Sequence, residues 1–324
     1  MPFNSSVNVG GSALFRSLQQ RIPGILKERR GSLQFEDGTI VPYLGDLANI
    51  GNRTLVQGKV LEYGEAIISA PGTYDAPLAE VSVSEDEYRI FKSEIGFRIG
   101  YDEMAQFDAM AANGYSYGSA YALKFEAALR AIREKLDRVV AYGVPQLGVR
   151  GQINNADVPE DNEVFNPYDD SVDGVTLYDF LVSVVERIDD DTDSVEGESA
   201  NIYEVSPKLY NLLERRFMGT SLNPGMTVLE KLQASGRTII KTRRLKLSNL
   251  EDNGVFAPGT NNERFVVHPR DPEVLGRMGF FPQLYPENMA KQEGNSTIYM
   301  MHGYTSETLV RRPLAMRYVN YQAA

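Results

Sequence analysis

The sequence predicts an α+β protein: a strand-rich first third, one long helix, a mixed α/β unit and a returning β-segment. Three stretches carry that prediction. Residues from Gly31 to Tyr101 are written in strands and turns, with period-two alternation in Val81-Ser82-Val83 and Phe97-Arg98-Ile99. Breakers at Asp37-Gly38, Gly64, Pro71-Gly72 and Pro77 punctuate them. Residues Phe125 to Pro145, FEAALRAIREKLDRVVAYGVP, form a long amphipathic helix with a clean stop. Beyond Pro145 helical and extended patterns alternate, and from Thr297 to Tyr321 the composition is β-rich again, broken by Pro313.

Residues 1–30 are polar and mixed, with a short helical candidate at Ala13 to Gln20 interrupted by Pro23-Gly24. They read as an arm ordered by outside contacts. Between Gly45 and Thr73 apolar residues are too thinly scattered for a core, and this stretch reads as a projecting hairpin whose free strands need a partner. Asp102 is placed to cap a short helix through about Ala112, closed by Asn113-Gly114, and Ser119 to open the long one. Phe125, Leu129, Ile132, Leu136 and Val139 recur at steps of four and three, which is one stripe down a helix. On the other face Glu126 with Arg130 and Glu134 with Arg138 are spaced to pair. Gly143 is the expected C-terminal cap and Pro145 forbids continuation, so the run from Ser119 to Tyr142 should span roughly 36 Å.

After that boundary, Leu177, Phe180, Leu181, Val184, Val185 and Ile188 mark a second amphipathic helix. Ile202 to Val205 is a short strand, and Ser206-Pro207 starts a third helix whose buried face is Leu209, Leu212, Leu213 and Phe217. Thr227 and Glu230 give a capping box for a fourth. Strands are expected at Thr238 to Leu247 and at Phe265 to His268.

Composition narrows the chemistry. The chain has 324 residues, 42% hydrophobic and 24% charged, which supports a sizeable core in about two domains. A net charge of −11 argues against a general nucleic-acid binder. The absence of cysteine excludes disulfides, thiolate metal sites and cysteine nucleophiles. No apolar run approaches the roughly 20 residues of a membrane span, and no secretory signal is visible, so synthesis in the cytoplasm is expected.

No catalytic set emerges. His268 and His302 are the sole histidines, and no carboxylate, serine or second histidine stands near either at a triad or metal spacing; both are expected in structural or solvent-facing roles. The acidic run from Asp189 to Glu198 invites a calcium reading, but counting from Asp189 the sixth and twelfth positions are Ser194 and Ala200, and from Asp191 they are Glu196 and Ile202. It reads as a solvated loop. Gly148-Val149-Arg150-Gly151 lacks the lysine and hydroxyl that close a phosphate loop. Lys241, Arg243, Arg244 and Lys246 form a basic stripe on a strand candidate; it could face phosphates, or pair with the acidic surface of a neighbouring copy, the preferred reading in so acidic a chain. No catalytic, cofactor-binding or metal-binding residue is expected.

The segments GFRIGYDEMAQFDAMAANG and ALKFEAALRAIREKLDRVVAYGVPQLGVRGQINNADV resemble a branch of tailed-phage major capsid proteins with the Hong Kong 97-type fold. PGTYDAPLAEVSV upstream, and MTVLEKLQ and STIYMMHGYTSETLVRRPLAMRYVNY downstream, are similar to the same family, including the terminal run Arg312, Pro313, Leu314, Ala315. The resemblance covers about Pro71 to the end, and the shared order of these segments is its main strength. It implies a Hong Kong 97-like shell subunit: an N-terminal arm and lead-in at 1–44, an extended loop at 45–73 lying over a neighbour, and a peripheral domain at 74–145 with its spine helix at 119–142. An axial domain at 146–280, returning peripheral strands at 281–312 and a final axial strand at 313–324 complete it.

The implied partners are copies of the chain as hexamers and pentamers, a portal protein, separate scaffolding or decoration proteins, and packaged double-stranded DNA touched only non-specifically. No membrane and no cofactor is implied, and the place is the virion, after synthesis in a bacterial host. Lys59 and Tyr63 in the loop and Lys241, Arg243 and Arg244 in the basic stripe are the expected subunit contacts. Lys59 lies in the loop that carries a crosslinking lysine in some relatives, but no asparagine partner or assisting acid is identified for it. Two other readings compete: a nanocompartment shell around a cargo enzyme, and a hydrolase using the carboxylates of 189–198 with a divalent metal.

Overall fold

A computed structural model describes residues 31–46, 53–63, 80–112, 120–192, 200–219, 225–285 and 290–322. The candidate helix at 13–20, the breakers Gly64, Pro71-Gly72 and Pro77, the turn at 113–114, Ser119 and most of the 189–198 run lie outside these. The first described strands are β1 (Tyr43–Asp46), β2 (Thr54–Tyr63) and the 21-residue β3 (Glu80–Gly100). Helix α1 (Tyr101–Ala112) follows directly, with Asp102 and Glu103 in its first turn where the helix dipole favours acids. Then comes α2 (Ala120–Tyr142), whose 23 residues span about 35 Å.

The stripe predicted for α2 is the face it buries. Ile132, Leu136 and Val139 are buried, with Phe125 and Leu129 half-buried at the upper end. Ile132 and Leu136 pack against Phe97 and Ile99 of β3 and against Met301. Removing side chains of this size from water contributes about 1.5–3 kcal/mol each. The predicted ion pairs on the opposite face are redistributed: Arg130 Nε donates to Glu134 Oε1 at 2.7 Å, and Arg138 Nε reaches Asn253 Oδ1 at 2.9 Å. Glu134 lies one turn further along the same helix, whereas Asn253 belongs to the tertiary surroundings, which helix spacing alone does not include.

Gly143 ends α2 with φ at 70°, a conformation that costs any side chain, and an added Cβ would sit 2.3 Å from the Val149 carbonyl oxygen. The chain turns there through a tight hairpin of β4 (Gly143–Val144) and β5 (Val149–Arg150), joined by a 3₁₀ turn at Pro145–Leu147. Gly148-Val149-Arg150-Gly151 belongs to this hairpin, with no helix following to receive a phosphate.

The α/β unit is built from β6 (Glu160–Asn162), α3 (Gly174–Asp191), β7 (Ile202–Val205), α4 (Pro207–Arg215), α5 (Val228–Ala234) and β8 (Thr238–Lys241). After it come α6 (Leu247–Asp252), β9 (Asn262–His268), β10 (Leu275–Leu284), β11 (Lys291–Glu293), β12 (Ser296–Ser306), β13 (Leu309–Val310) and β14 (Arg317–Gln322). Two helix starts are capped as the sequence predicts: the Ser206 hydroxyl accepts from Leu209 N, and Thr227 and Glu230 form the reciprocal box. Asp102, expected as a cap, is instead the second residue of α1.

Two expectations need correction. The strand read from Thr238 to Leu247 stops at Lys241, because the Thr242 hydroxyl accepts from Arg244 N and turns the chain into a 3₁₀ segment, Arg243–Leu245, ahead of α6. Phe217 is not on the buried face of α4. That helix ends at Arg215, and Phe217 is 50% exposed in an isolated bridge to Thr227. Its carbonyl lies where a Cβ on Gly174 would fall, at 2.2 Å, so backbone approach holds that turn rather than ring burial.

Two sheets result. The first runs β1-β10-β12-β3-β2, with β11 and β13 attached; the second runs β6-β14-β9-β7-β8. In the second, Leu177, Leu181, Val184 and Ile188 of α3 share an apolar cluster with Leu209 and Leu213 of α4, Val228 and Leu232 of α5, and Phe265, Val267 and Val319 of the strands. A third cluster joins the two parts: Phe35 and Ile40 from the lead-in, Val140 and Tyr142 from the end of α2, Leu245, Val266, Leu275 and Tyr318.

Asp137 sits at that junction. Its Oδ1 accepts the backbone amides of Phe35 and Glu36 at 2.9 and 3.1 Å, and its Oδ2 accepts Nε and a terminal nitrogen of Arg244 at 2.9 and 2.6 Å. One buried carboxylate therefore ties together three segments more than 100 residues apart in sequence. A second charge network closes the α/β unit. Asp161 accepts from Arg187 at 2.9 Å and from Arg317 at 2.8 and 3.1 Å, while Arg187 also holds Glu163 and Arg317 holds Asp191. Burial raises the Asp161 carboxyl, but the bonds from Arg317 and then Arg187 outweigh it and keep it below the usual carboxylate range.

Two outcomes follow from these networks. Asp137→Ala strands Arg244 and two backbone amides, and chemical denaturation should register a loss of about 3–5 kcal/mol. Because Asp161 is depressed in the folded state, its stabilisation is present above the unfolded value of about 3.9 and is lost as pH falls through the folded value. Asp161→Asn should cost about 1–3 kcal/mol at neutral pH and flatten the decline of melting temperature on acidification; an unchanged acid limb would refute the assignment.

Candidate subunit-contact surfaces

Two surface features stand out, and they lie on different elements. The first is a ribbon. Residues 90–100 of β3 pair with β12, whereas residues 80–89 pair with β2 from Thr54↔Arg89 to Tyr63↔Glu80. The ten-residue pairing thus begins where β12 ends, at Ser306↔Ile90, and runs on for about 33 Å. The strand opposite β2 is therefore 80–89, beyond the 45–73 stretch. Directly opposed residues share a face, so Val56 lies with Val81 and Val83, exposed by 60, 64 and 71%. Val81 and Val83 are successive residues on that face, while the Gly58↔Glu85 pair separates Val56 from them. Exposed valines on a strand pair with open edges are suited to burial against another surface. Lys59 and Tyr63 occupy positions in β2 opposite Ser84 and Glu80.

The second is a basic cleft of about 950 Å³ walled by residues 31–35, by α2 from Arg130 to Arg138, and by residues 241–249. Lys241, Arg243 and Arg244, which sequence reading grouped as a stripe on a strand, all line it, though only Lys241, the last residue of β8, is on a strand and Arg243 and Arg244 are on the 3₁₀ segment. Their roles differ. Arg244 is committed to Asp137, and Lys241 Nζ donates to Asn211 Oδ1 at 2.8 Å and lies over the Tyr210 ring. Arg243 is exposed beside Gly31, where an added Cβ would come within 3.0 Å of its guanidinium. Arg130, Lys135 and Arg138 face the same cleft from α2. The sequence read Arg130 and Arg138 as part of the charged outer face of the helix; only the packing of 241–249 beside α2 joins the two sets.

The histidines are away from both features. His268 is fully buried, with Nδ1 2.9 Å from the Pro269 carbonyl oxygen and Nε2 3.0 Å from Glu204 Oε1, which also accepts from Gln152 at 2.5 Å. Sequence spacing places no carboxylate near His268; the antiparallel pairing Ile202↔His268 brings Glu204 there. The group is sealed in the core, out of reach of a substrate. His302 stacks on Tyr285 at 4.3 Å between ring centres, and burial, with Lys92 nearby, lowers its pKa. Of the acidic run, Asp191 is bonded to Arg317. Among the described residues no three His, Asp or Glu groups gather as a metal site, and no helix is long and apolar enough to cross a membrane.

Comparison with known proteins agrees with this geometry. The fold is similar to the capsid of the myovirus XM1, at 17% identity and a TM-score of 0.74, covering 96% of this chain and 99% of that one. It is similar to a chain of Gordonia phage Cozz, at 16% identity and 0.62 over 100 and 98% of the two chains, and to the capsid of cyanophage P-SCSP1u, at 15% and 0.58 over 98 and 97%. No curated protein sequence matches the chain. The sequence profile described as major capsid protein matches residues 64–321, four-fifths of the chain and every strand of the two sheets except β1 and β2, and the chain therefore belongs to the major capsid protein family.

Proposed function

We propose that this capsid protein builds the shell of a tailed double-stranded DNA bacteriophage, repeating as hexamers and pentamers around the packaged genome. The observation that carries this, beside family membership, is the ribbon: ten paired residues with exposed valines extend past the sheet that anchors them. A strand pair of that kind is marginal alone and is stabilised by lying on another surface. In this reading residues 45–73 with the start of β3 form the extended loop over a neighbour, and 74–145 the peripheral domain stiffened by α2. Residues 146–280 and the final strand form the axial domain, and 281–312 the returning peripheral strands. Lys59, Tyr63, Lys241, Arg243 and Arg244 are the proposed contacts between subunits. A portal protein and separate scaffolding or decoration proteins complete the particle. The role is structural, and a net charge of −11 suits a wall that touches DNA only non-specifically.

Electron microscopy of the purified protein should reveal shells or capsomer rings, with any scaffolding partner supplied. Particles enclosing a protein cargo and no DNA in the native host would replace the phage reading with a nanocompartment. Val81→Asp with Val83→Asp should leave the circular dichroism spectrum and melting temperature unchanged while reducing particle yield about tenfold or more, since charges replace exposed apolar contact. Equal yield would remove the ribbon from the interface.

A further inference from the structure

The cleft is lined by seven basic side chains and two carboxylates, Glu134 and Asp137, in a chain whose net charge is −11. Four of the seven are engaged within the subunit. Arg130 bonds Glu134 and the Gly31 carbonyl, Arg138 bonds Asn253, Lys241 bonds Asn211, and Arg244 bonds Asp137. Lys135, Arg243 and Lys246 remain: all three are exposed and have no side-chain hydrogen bond or ion pair among the described residues. Three unspent cations around one walled cleft call for an anionic occupant.

We propose that the occupant is the acidic run Asp189–Glu198 of a second copy of the chain, so that each subunit receives a neighbour's run in its cleft. The inference rests on the shell reading. Charge decides among the candidates. The chain's own first 30 residues carry Arg16, Arg21, Lys27, Arg29 and Arg30 against Glu28, the wrong sign for a basic cleft. The run from 189 to 198 holds six carboxylates in ten residues. At its start Asp191 is held by Arg317, but Asp190 is exposed and its carboxylate has no hydrogen bond or ion pair among the described residues.

Nucleic acid is the other polyanion, and the geometry favours it less. The free cations sit in a cleft walled by three segments that also holds two carboxylates, not along an open basic stripe. Three cations are also few for phosphate binding, which gains its strength from many neutralised charges.

The contact would also answer a problem of assembly. Copies with a charge of −11 repel one another, and a complementary cleft and run give approach one favoured orientation. Cleft and run are different patches of one chain, so the contact is head-to-tail, the kind that closes into rings.

A charge-swap experiment on the full-length chain tests it. Lys135→Glu, Arg243→Glu and Lys246→Glu together should leave the melting temperature unchanged but raise the concentration needed for particle formation about tenfold. Asp190→Lys, Asp193→Lys and Glu196→Lys in a separate preparation should do the same, and mixing the two preparations should restore particles containing both. Unmodified chain should also lose assembly as salt is raised toward 1 M, where charges are screened within about 3 Å. Wild-type yield from the cleft variant overturns the inference while leaving the shell reading intact. So does failure of mixing to rescue, and so does a cleft variant whose defect tracks lost binding to duplex DNA. Absence of particles from the unmodified chain under every condition overturns the shell reading and this inference with it.

Discussion

The buried carboxylate of Asp137 is the constraint on which the arrangement depends. It lies on the last turns of α2, where the helix stops belonging to the first sheet and starts to touch the second. Its oxygens hold the lead-in at Phe35 and Glu36 on one side and Arg244 on the other. A buried charge is tolerable when its bonds are complete, and here both oxygens are taken. Around it the same logic repeats: Glu36 accepts two bonds from Arg133, at 2.8 and 2.6 Å, and its carbonyl accepts from Arg277, whose pKa burial lowers. The two sheets are thus held at the helix by polar bonds with strict direction, laid over the apolar cluster of Phe35, Val140, Leu245 and Tyr318. Apolar contact favours closeness; the carboxylates and guanidiniums select one relative placement.

Local patterns were legible in the sequence, and non-local ones were not. The stripe on α2, the Gly143 stop, the Ser206 and Thr227 caps and the alternation in β3 each depend on residues within a few positions of one another. Each appears in the structure as the sequence predicts, except that the alternation puts Phe97 and Ile99 on a core while Val81 and Val83 stay exposed. The failures have one cause. Arg130 and Arg138 chose partners in or near other segments, Glu204 met His268 across a strand pair, and the basic stripe gained three more cations from a helix 100 residues earlier. No spacing rule contains those distances. The misread strand at 242–247 is the exception: a threonine hydroxyl turned the backbone, a signal that was present locally and was overridden by the apolar and basic alternation around it.

Rigidity and reach are divided between neighbouring elements. α2 is braced on β3 and β12 through Ile132, Leu136, Phe97 and Met301. The same β3 that supports this helix over residues 90–100 carries the ribbon over 80–89 without a break in the strand. Any load on the ribbon is therefore transmitted directly into the strand against which the helix rests, with no loop between them to absorb it. A shell subunit needs this coupling, because its neighbours can set its geometry only through elements that do not yield.

The position of β14 sets an order of events during synthesis. It lies inside the second sheet, between β6 and β9, although its residues come about 50 positions after β9 and 155 after β6. Until Arg317–Gln322 have left the ribosome, β6 has no neighbour in this sheet and one side of β9 stands open. Non-local closure of this kind is slow and comes late. A polypeptide interrupted before Arg317 would leave β6 without a partner and one edge of β9 open, so an unfinished chain carries an association-prone edge that the finished one has closed.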